Sequence, residues 1–475
     1  MSRTLVRDSL IYSGGILLAR MLGFLLIPLY TRYLNTAEYG ALALLTLLIQ
    51  GINYLCLMGI NTATTRLYFL PTADDAYQRK LFSHASLLLL VVPAVVLIPA
   101  VPIIGAVINL PFRSLVLPVL LMGLFTPMIQ LMNSLLTIQH RPLPYAAFHL
   151  SYFFFQSVAI IVAVASLGLG LVGQVLAQAT TSALFAGVAL MIIMRYTPPK
   201  YVRGLTRPLL MFGIPMLPSF LCVWVDAGAG RFGLEHYASL DELGIYLLSS
   251  QFAGIVALVG SSLENAVMPE FLRRAQQNNS EGQLGLLVTR LIGLFVLAGV
   301  GLMLFAPTAI VVMSTPPYYA AIEYVAPLTV AAVLYAIRMP VNWSLTHSNQ
   351  PGLLSAINTL STALLVVSLV LALGHFGMSI RGVAYASIGV NLVALLIGTT
   401  AAQLRYRLHL SLTRLAVMGL ILIGCWAVAP GNPDSALDPW FLTGRCMILG
   451  TLALLIGRTV GIINPLHLLR ELRGR

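Results

Sequence analysis

The stretch from Leu291 to Met313 reads L-I-G-L-F-V-L-A-G-V-G-L-M-L-F-A-P-T-A-I-V-V-M and contains no charged side chain. A helix of about 20 such residues is long enough to cross the hydrocarbon core of a bilayer. Similar apolar blocks, separated by short polar breaks, follow one another through the 475 residues. Backbone groups in lipid must form hydrogen bonds within the chain, and unbroken apolar blocks without alternating polarity exclude a barrel. The sequence therefore predicts an all-α, polytopic membrane protein.

The composition narrows the possible functions. Only 9% of the residues are charged and 59% are hydrophobic, whereas about a quarter of a soluble chain is charged. The net charge is +12, but the basic residues are scattered through short loops, which argues against a nucleic-acid partner. The four cysteines lack metal-ligand or disulfide spacing, and no G-x-x-x-x-G-K loop occurs. We therefore expect no metal, no cofactor and no ATP-driven step within the chain.

About fourteen apolar blocks are long enough to be membrane spans, and the first runs from Leu10 to Tyr30. Their centres lie near Ala19, Ile49, Val95, Met122, Ser157, Ala183, Leu221, Val256, Leu297, Leu334, Leu364, Val393, Leu422 and Leu452. Arginine and lysine collect in the segments on the side of the N-terminus. Because positively charged loops stay in the cytoplasm, we expect both termini to be cytoplasmic.

The two halves of the chain repeat a pattern. Residues Asn133–Pro142 and Asn342–Pro351 both read N-x-x-x-T-x-x-x-x-P, and the second lies 209 residues after the first. At the same offset, Gly173–Ala177 and Gly382–Ala386 both read G-x-x-x-A. Two coincidences at one offset indicate that spans one to six and spans seven to twelve are structural repeats.

A third pair of short motifs supports the repeat, and the repeat predicts the domains. Glu38–Gly40 and Glu242–Gly244 both read E-x-G just before a span. Since each repeat has an even number of spans, the copies share one orientation in the membrane. We expect an N-terminal six-helix lobe at 1–200, a C-terminal six-helix lobe at 201–410, and two additional helices with a short basic tail at 411–475.

Ionisable side chains also occur inside the apolar blocks. Arg20 lies in the first span, Asp226 and Arg231 in the seventh, and Arg338 in the tenth. A charge at the centre of a membrane helix costs about 2.5–3.5 kcal/mol on insertion scales, so it normally faces a cavity or a partner. An ion pair at Arg20 and snorkelling at Arg231 are the alternatives. Because arginine outnumbers acid here, we expect a cationic cavity that attracts an anion such as a diphosphate.

Two loops carry a family resemblance. Leu29–Leu42, which reads L-Y-T-R-Y-L-N-T-A-E-Y-G-A-L, and Arg231–Tyr246, which reads R-F-G-L-E-H-Y-A-S-L-D-E-L-G-I-Y, resemble the Wzx-type polysaccharide flippases of the multidrug/oligosaccharidyl-lipid/polysaccharide exporter superfamily. The resemblance implies a V-shaped bundle of two lobes in which spans one, two, seven and eight line a cavity. The family usually has aspartate where this chain has Gly230, and Asp226 lies about one turn earlier.

The resemblance also implies a substrate. This is an undecaprenyl-diphosphate-linked oligosaccharide that crosses from the cytoplasmic to the periplasmic leaflet of the bacterial inner membrane, for O-antigen, capsule or exopolysaccharide. The implied partners are this lipid-linked oligosaccharide, membrane lipids, a polysaccharide polymerase and a chain-length regulator. Gln50, Asn53, Gln130 and Asn133 are plausible sugar-facing groups, and helix-helix hydrogen bonds are the alternative for each.

Three other functions are alternatives to a polysaccharide flippase. A cation-coupled multidrug exporter needs acidic residues in the first lobe, and the first six apolar blocks contain no buried Asp or Glu. A lipid II flippase would have an equally cationic cavity. A membrane-embedded transferase needs catalytic acids or histidines, and the nearest motif, Asp74-Asp75, is typical of a solvated loop. The sequence therefore predicts a transporter and not an enzyme.

Overall fold

The computed structural model describes residues 23–71, 74–107, 115–275, 281–348, 350–405, 411–429 and 438–459. These ranges contain helices and no strand. Twelve of the described helical segments are long and apolar enough to cross a membrane, and a thirteenth, Thr413–Val428, is shorter. Each of the thirteen contains one predicted span centre, and the first predicted span lies largely outside the described residues. The all-α, multi-pass membrane fold is confirmed.

Contacts divide the chain into two compact units, Met1–Gly228 and Ala229–Arg475. The division falls within one helix. The helices up to and including that one are α1 (Ile27–Tyr33), α2 (Thr36–Leu57), α3 (Ile60–Tyr68), α4 (Asp75–Val107), α5 (Val116–Ile138), α6 (Pro142–Ile161), α7 (Gly170–Tyr196), α8 (Thr206–Gly213) and α9 (Leu217–Tyr237). The remaining helices are α10 (Leu240–Ala275), α11 (Glu281–Met313), α12 (Ala321–His347), α13 (Pro351–Leu369), α14 (Ile380–Arg405), α15 (Leu412–Val428) and α16 (Pro439–Thr459).

Local sequence signals fix several helix starts. At α2, Asn35 Oδ1 accepts from the Glu38 backbone N–H at 2.8 Å, and Glu38 Oε2 accepts from the Asn35 N–H at 3.0 Å. This reciprocal pair satisfies two N–H groups that have no partner within the helix. Pro142 and Pro351 occupy the first position of α6 and α13, where the missing N–H costs nothing. The N-x-x-x-T-x-x-x-x-P pattern thus marks where one span ends and the next begins.

The 209-residue offset recurs in the backbone. Helix α5 ends at Ile138 and α12 at His347, and α6 and α13 each continue into a π-helical turn, at Val162–Ser166 and Val370–His375. Each turn is followed by a glycine in the left-handed region, Gly168 at φ +65° and Gly377 at φ +62°.

The hydrogen bonds that close the two π-helical turns are also equivalent. Leu169 N–H donates to Ala163 O at 3.1 Å, and Met378 N–H donates to Ala372 O at 2.8 Å. The sequence repeat therefore has a counterpart in backbone geometry.

The loop between α7 and α8 is tied down on α4. The buried His84 ring accepts a hydrogen bond at Nδ1 from the Val202 N–H at 3.0 Å, and its Nε2 lies 2.7 Å from Thr206 Oγ1. Ser83 Oγ also donates to Pro198 O. An ordered loop thus leads into α8, where the sixth span passes to the seventh.

Helices α2 and α9 pack closely within the first unit. Trp224 Nε1 donates to the Leu47 carbonyl oxygen at 2.8 Å, and the Tyr54 and Phe220 rings stack with centroids 5.5 Å apart. A Cβ added to Gly51 would lie 2.9 Å from the Trp224 indole, so only glycine allows this approach. The second and seventh spans are therefore held side by side.

Candidate functional site

A polar cavity lies inside the first unit, among helices that are otherwise apolar. Its volume is about 520 Å³, within the range of small-molecule sites. The lining residues come from α3, α5 and α6 and are Asn61, Thr65, Thr126, Ile129, Gln130, Asn133, Ser134, Thr137, Ile138, Tyr145, His149 and Tyr152. Amides, hydroxyls and one imidazole dominate this lining, and it contains no carboxylate, lysine or arginine.

Two polar atoms of the cavity residues have no partner in the described structure. Asn133 Oδ1 and His149 Nε2 are buried and form no hydrogen bond. Leaving such a group unpaired costs about 1–3 kcal/mol. Polar groups beside the cavity are therefore not all satisfied within the described part of the protein.

Aromatic side chains form one wall of the cavity. The rings of Tyr145 and His149 lie 4.5 Å apart, and Tyr152 Oη lies 3.0 Å from Ser182 Oγ on α7. The hydroxyl of Tyr152 also accepts from Gln156 Nε2 at 3.5 Å. These contacts hold the ring of Tyr152 at the cavity wall.

A second polar cluster lies in the second unit around Arg338, which is only 8% exposed. Its guanidinium donates to Asn391 Oδ1 at 2.9 Å, Asn358 Oδ1 at 3.3 Å and Ser361 Oγ at 3.4 Å. Its carbon Cζ also lies 5.7 Å from the centroid of the Tyr335 ring. One cation thus joins α12 to α13 and α14 within the membrane-spanning part of the chain.

The cavity and the Arg338 cluster occupy corresponding places in the repeat. Arg338 lies 209 residues after Ile129, which lines the cavity. Three of the residues that the guanidinium contacts correspond in the same way to residues at or beside the cavity: Asn358 to His149, Ser361 to Tyr152, and Asn391 to Ser182. The second unit places a guanidinium where the first unit has an aliphatic side chain and open space.

The other predicted site residues are dispersed. Arg20 lies outside the described residues. On α9, Asp226 is exposed and Arg231 is half-buried, and the division between the units falls between them. On α2, Gln50 Nε2 donates to Tyr54 Oη at 3.2 Å, and Asn53 Oδ1 is buried without a hydrogen bond in the described structure. Of the residues predicted to face a sugar, Gln130 and Asn133 lie in the cavity lining.

Gly230 lies in a tight contact. A Cβ at this position would lie 2.7 Å from Val383 Cγ1 and 3.1 Å from Tyr246 Oη. The close packing of α9 against α10 and α14 leaves no space for the aspartate that the resemblance implies at this position. Glycine at position 230 therefore has a packing reason.

Sequence reasoning missed most of the cavity. His149 and Tyr152 follow Tyr145 by four and seven residues, which places all three on one face of a helix. Gln130, Asn133 and Thr137 follow Thr126 with the same helical spacing. A polar stripe at helical spacing inside an apolar block was the signal that could have revealed the site.

The chain matches a known protein family. Residues 5–275, more than half of the chain, match the family model described as polysaccharide biosynthesis protein. The chain matches no curated protein sequence.

Solved structures share the fold at low sequence identity. The lipid II flippase MurJ in an inward closed conformation is 14% identical, with a TM-score of 0.73 over 94% of this chain and 98% of that chain. A multidrug resistance MATE family transporter of the MOP superfamily, in an inward-facing conformation, is 15% identical, with a TM-score of 0.63 over 84% of this chain and 94% of that chain. With its multi-pass helical fold and its match over residues 5–275, the chain belongs to the polysaccharide biosynthesis protein family.

Proposed function

We propose that this protein is a flippase that moves an undecaprenyl-diphosphate-linked oligosaccharide from the cytoplasmic to the periplasmic leaflet of the bacterial inner membrane. The oligosaccharide then serves O-antigen, capsule or exopolysaccharide assembly. The observation that carries the proposal is the family match over residues 5–275 in a chain of membrane-crossing helices. A polysaccharide biosynthesis protein that is built of membrane-crossing helices is suited to transport of the lipid-linked intermediate.

The predicted site residues would contact two parts of such a substrate, the diphosphate and the glycan. Arg20 and Arg231 would contact the diphosphate, because a guanidinium binds phosphate oxygens through two parallel hydrogen bonds. Asp226 would balance their charge when no substrate is bound. Gln50 and Asn53 would face the glycan. We propose Arg338 as a further anion contact, although it must then give up some of its bonds to α13 and α14.

The distribution of charge supports the orientation of the proposed flippase. Basic residues at the ends of α3, α7 and α10 and in the loop before α8 would share one side of the membrane if every long helix crosses it. They are Arg66, Arg195, Lys200, Arg203, Arg207, Arg273 and Arg274. Because loops rich in arginine and lysine stay in the cytoplasm, this side would be cytoplasmic, as would both termini.

A lipid II flippase is the second candidate. The likeness to the MurJ structure, which extends over 94% of this chain, favours it. Its substrate is also a glycan on a lipid diphosphate, so the same chemistry applies. A polysaccharide polymerase and a chain-length regulator would be partners of a polysaccharide flippase but not of a lipid II flippase.

Deletion of the gene in its native host tests the proposal. The expected result is loss of one surface polymer, with its undecaprenyl-linked repeat unit accumulating on the cytoplasmic face of the membrane. The chain supplied on a plasmid should restore the polymer. Intact polymers with defective peptidoglycan would instead identify a lipid II flippase. Intact polymers with raised sensitivity to cationic drugs would overturn the proposal in favour of an exporter.

A further inference from the structure

We propose that the polar cavity between α3, α5 and α6 is a binding site for one uncharged sugar unit of the translocated oligosaccharide. The inference rests on the proposed function and assigns the glycan a place inside the first unit. The charged diphosphate would be bound elsewhere.

The chemistry of the lining selects the ligand class. An anion such as diphosphate would find no arginine or lysine among the lining residues, and a cation would find no carboxylate. An unpaired charge within a bundle of membrane-spanning helices is costly. A neutral polyhydroxyl compound avoids this cost, because each hydroxyl both donates and accepts hydrogen bonds.

The lining side chains match such a ligand. Asn133 and His149 line the cavity with groups that donate and accept hydrogen bonds, and each also holds one buried atom, Oδ1 or Nε2, without a partner in the described structure. Tyr145 and Tyr152 are among the lining residues, and their rings would pack against the C–H side of a pyranose. Amides and hydroxyls together with aromatic rings thus meet both the polar and the apolar surface of a sugar.

In the second unit, an arginine side chain occupies the position that corresponds to the cavity of the first unit. There Arg338 satisfies the polar groups of α13 and α14 from within the lobe. At Ile129 the first unit lacks this internal donor, and a cavity of about 520 Å³ remains. The two repeats therefore differ at the position that decides whether the polar groups are satisfied internally or by a ligand.

The position of the cavity along the membrane fits this role. The lining residues lie in the last turns of α5 and the first turns of α6, next to the loop that carries Arg141. In the proposed topology this end of the lobe is cytoplasmic, on the face where the lipid-linked oligosaccharide is made. The cavity would engage a sugar before the crossing begins.

The repeat itself supplies the blocking substitution. Ile129→Arg introduces the side chain that the second unit carries at the equivalent position, and Ile129→Leu keeps the aliphatic bulk. Asn133→Ala removes one proposed sugar contact. Its matched control is Asn342→Ala, at the equivalent position of the second unit.

Binding is measured on the full chain in lipid nanodiscs, with the oligosaccharide released by mild acid from the lipid-linked intermediates of the host as probe. We expect binding by wild type, Ile129→Leu and Asn342→Ala, none by Ile129→Arg, and about tenfold weaker binding by Asn133→Ala, as loss of one hydrogen bond predicts. Wild-type affinity in both Ile129→Arg and Asn133→Ala would overturn the inference, as would a wild type that binds inorganic diphosphate at this site but no sugar.

Polymer production in the deletion strain separates this inference from the proposed function. Restoration by wild type and Ile129→Leu but not by Ile129→Arg, at equal amounts in the membrane, supports both. Equal restoration by the wild type and both Ile129 variants would support the flippase and overturn the sugar site. If the wild type itself neither restores polymer nor binds the oligosaccharide, the proposed function fails and the inference falls with it.

Discussion

Arg338 on α12 donates to Asn391 Oδ1 on α14 across 2.9 Å, although the two residues are 53 positions apart in the chain. With Asn358 and Ser361 on α13, this pair forms a polar junction of three helices, in which Arg338 and Ser361 are buried. The cation could not be buried alone at low cost, because it would lose its hydration. The junction therefore links the three spans.

Removing the cation should destabilise the second unit. Arg338→Ala removes up to three hydrogen bonds, to Asn391, Asn358 and the buried Ser361. At about 1 kcal/mol for each bond, we expect a loss of about 2–3 kcal/mol in the free energy of unfolding. Arg381→Ala is the control, because Arg381 pairs with Glu323 at an exposed position, where an ion pair is worth at most about 1 kcal/mol. The measurement is the unfolding temperature of each purified variant in detergent. Equal shifts in the two variants would contradict the structural role of the junction.

Close packing between α3 and α8 should not tolerate one added methyl group. In Gly213→Ala, the new Cβ would overlap the Met58 carbonyl oxygen, which is backbone and has little freedom to move. We expect a cost of about 1–3 kcal/mol, as for other overpacked sites, and a lower amount of protein in the membrane. Gly187→Ala is the matched control, since a Cβ there meets nothing within 4 Å. The idea fails if both variants accumulate and unfold alike.

The two π-helical turns should respond equally to the same change. Gly168 and Gly377 have φ values of +65° and +62°, and a Cβ at either position meets no atom within 4 Å. Alanine therefore costs only the left-handed backbone conformation, about 1–2 kcal/mol. We expect Gly168→Ala and Gly377→Ala to lower the unfolding temperature by similar amounts. A large effect at one position and none at the other would show that the turns are not equivalent.

Stability should depend on pH through Glu270, near the end of α10 and beyond the span. Hydrogen bonds from Arg273 and then Arg274 lower the pKa of this carboxyl from 4.5 to about 2. A lowered folded-state pKa gives stability that is present above the unfolded pKa and is lost as pH falls through the folded one. We expect Glu270→Gln to be less stable than wild type at pH 7. The difference should shrink as the pH falls from about 4.5 towards 2.

Thermal unfolding of both proteins across this pH range checks the prediction. Because Glu270 and both arginines are solvent-accessible, added salt should reduce the difference as well. A difference that stays constant with pH would show that the carboxylate charge is not responsible.

Much of the fold could be predicted because its causes are local. Apolar length predicted the spans, and the prolines that end the repeated motif, Pro142 and Pro351, begin α6 and α13. The repeat was visible because the same local signals recur 209 residues apart. The candidate site was harder to predict from the sequence. Its polar residues come from three helices, and the residues predicted from the sequence include only Gln130 and Asn133 of the cavity lining.

The sequence by itself determined that the chain crosses a membrane as helices, because lipid forces each backbone segment to satisfy its own hydrogen bonds. It also determined which charged and polar side chains lie within those spans. Only the tertiary structure decided which of these side chains find hydrogen-bond partners. Arg338 meets Asn391 because distant helices pack together, whereas Asn133 and His149 face a cavity and are left without hydrogen-bond partners for one atom each. Such differences depend on side chains brought together by packing, and no single segment of sequence contains them.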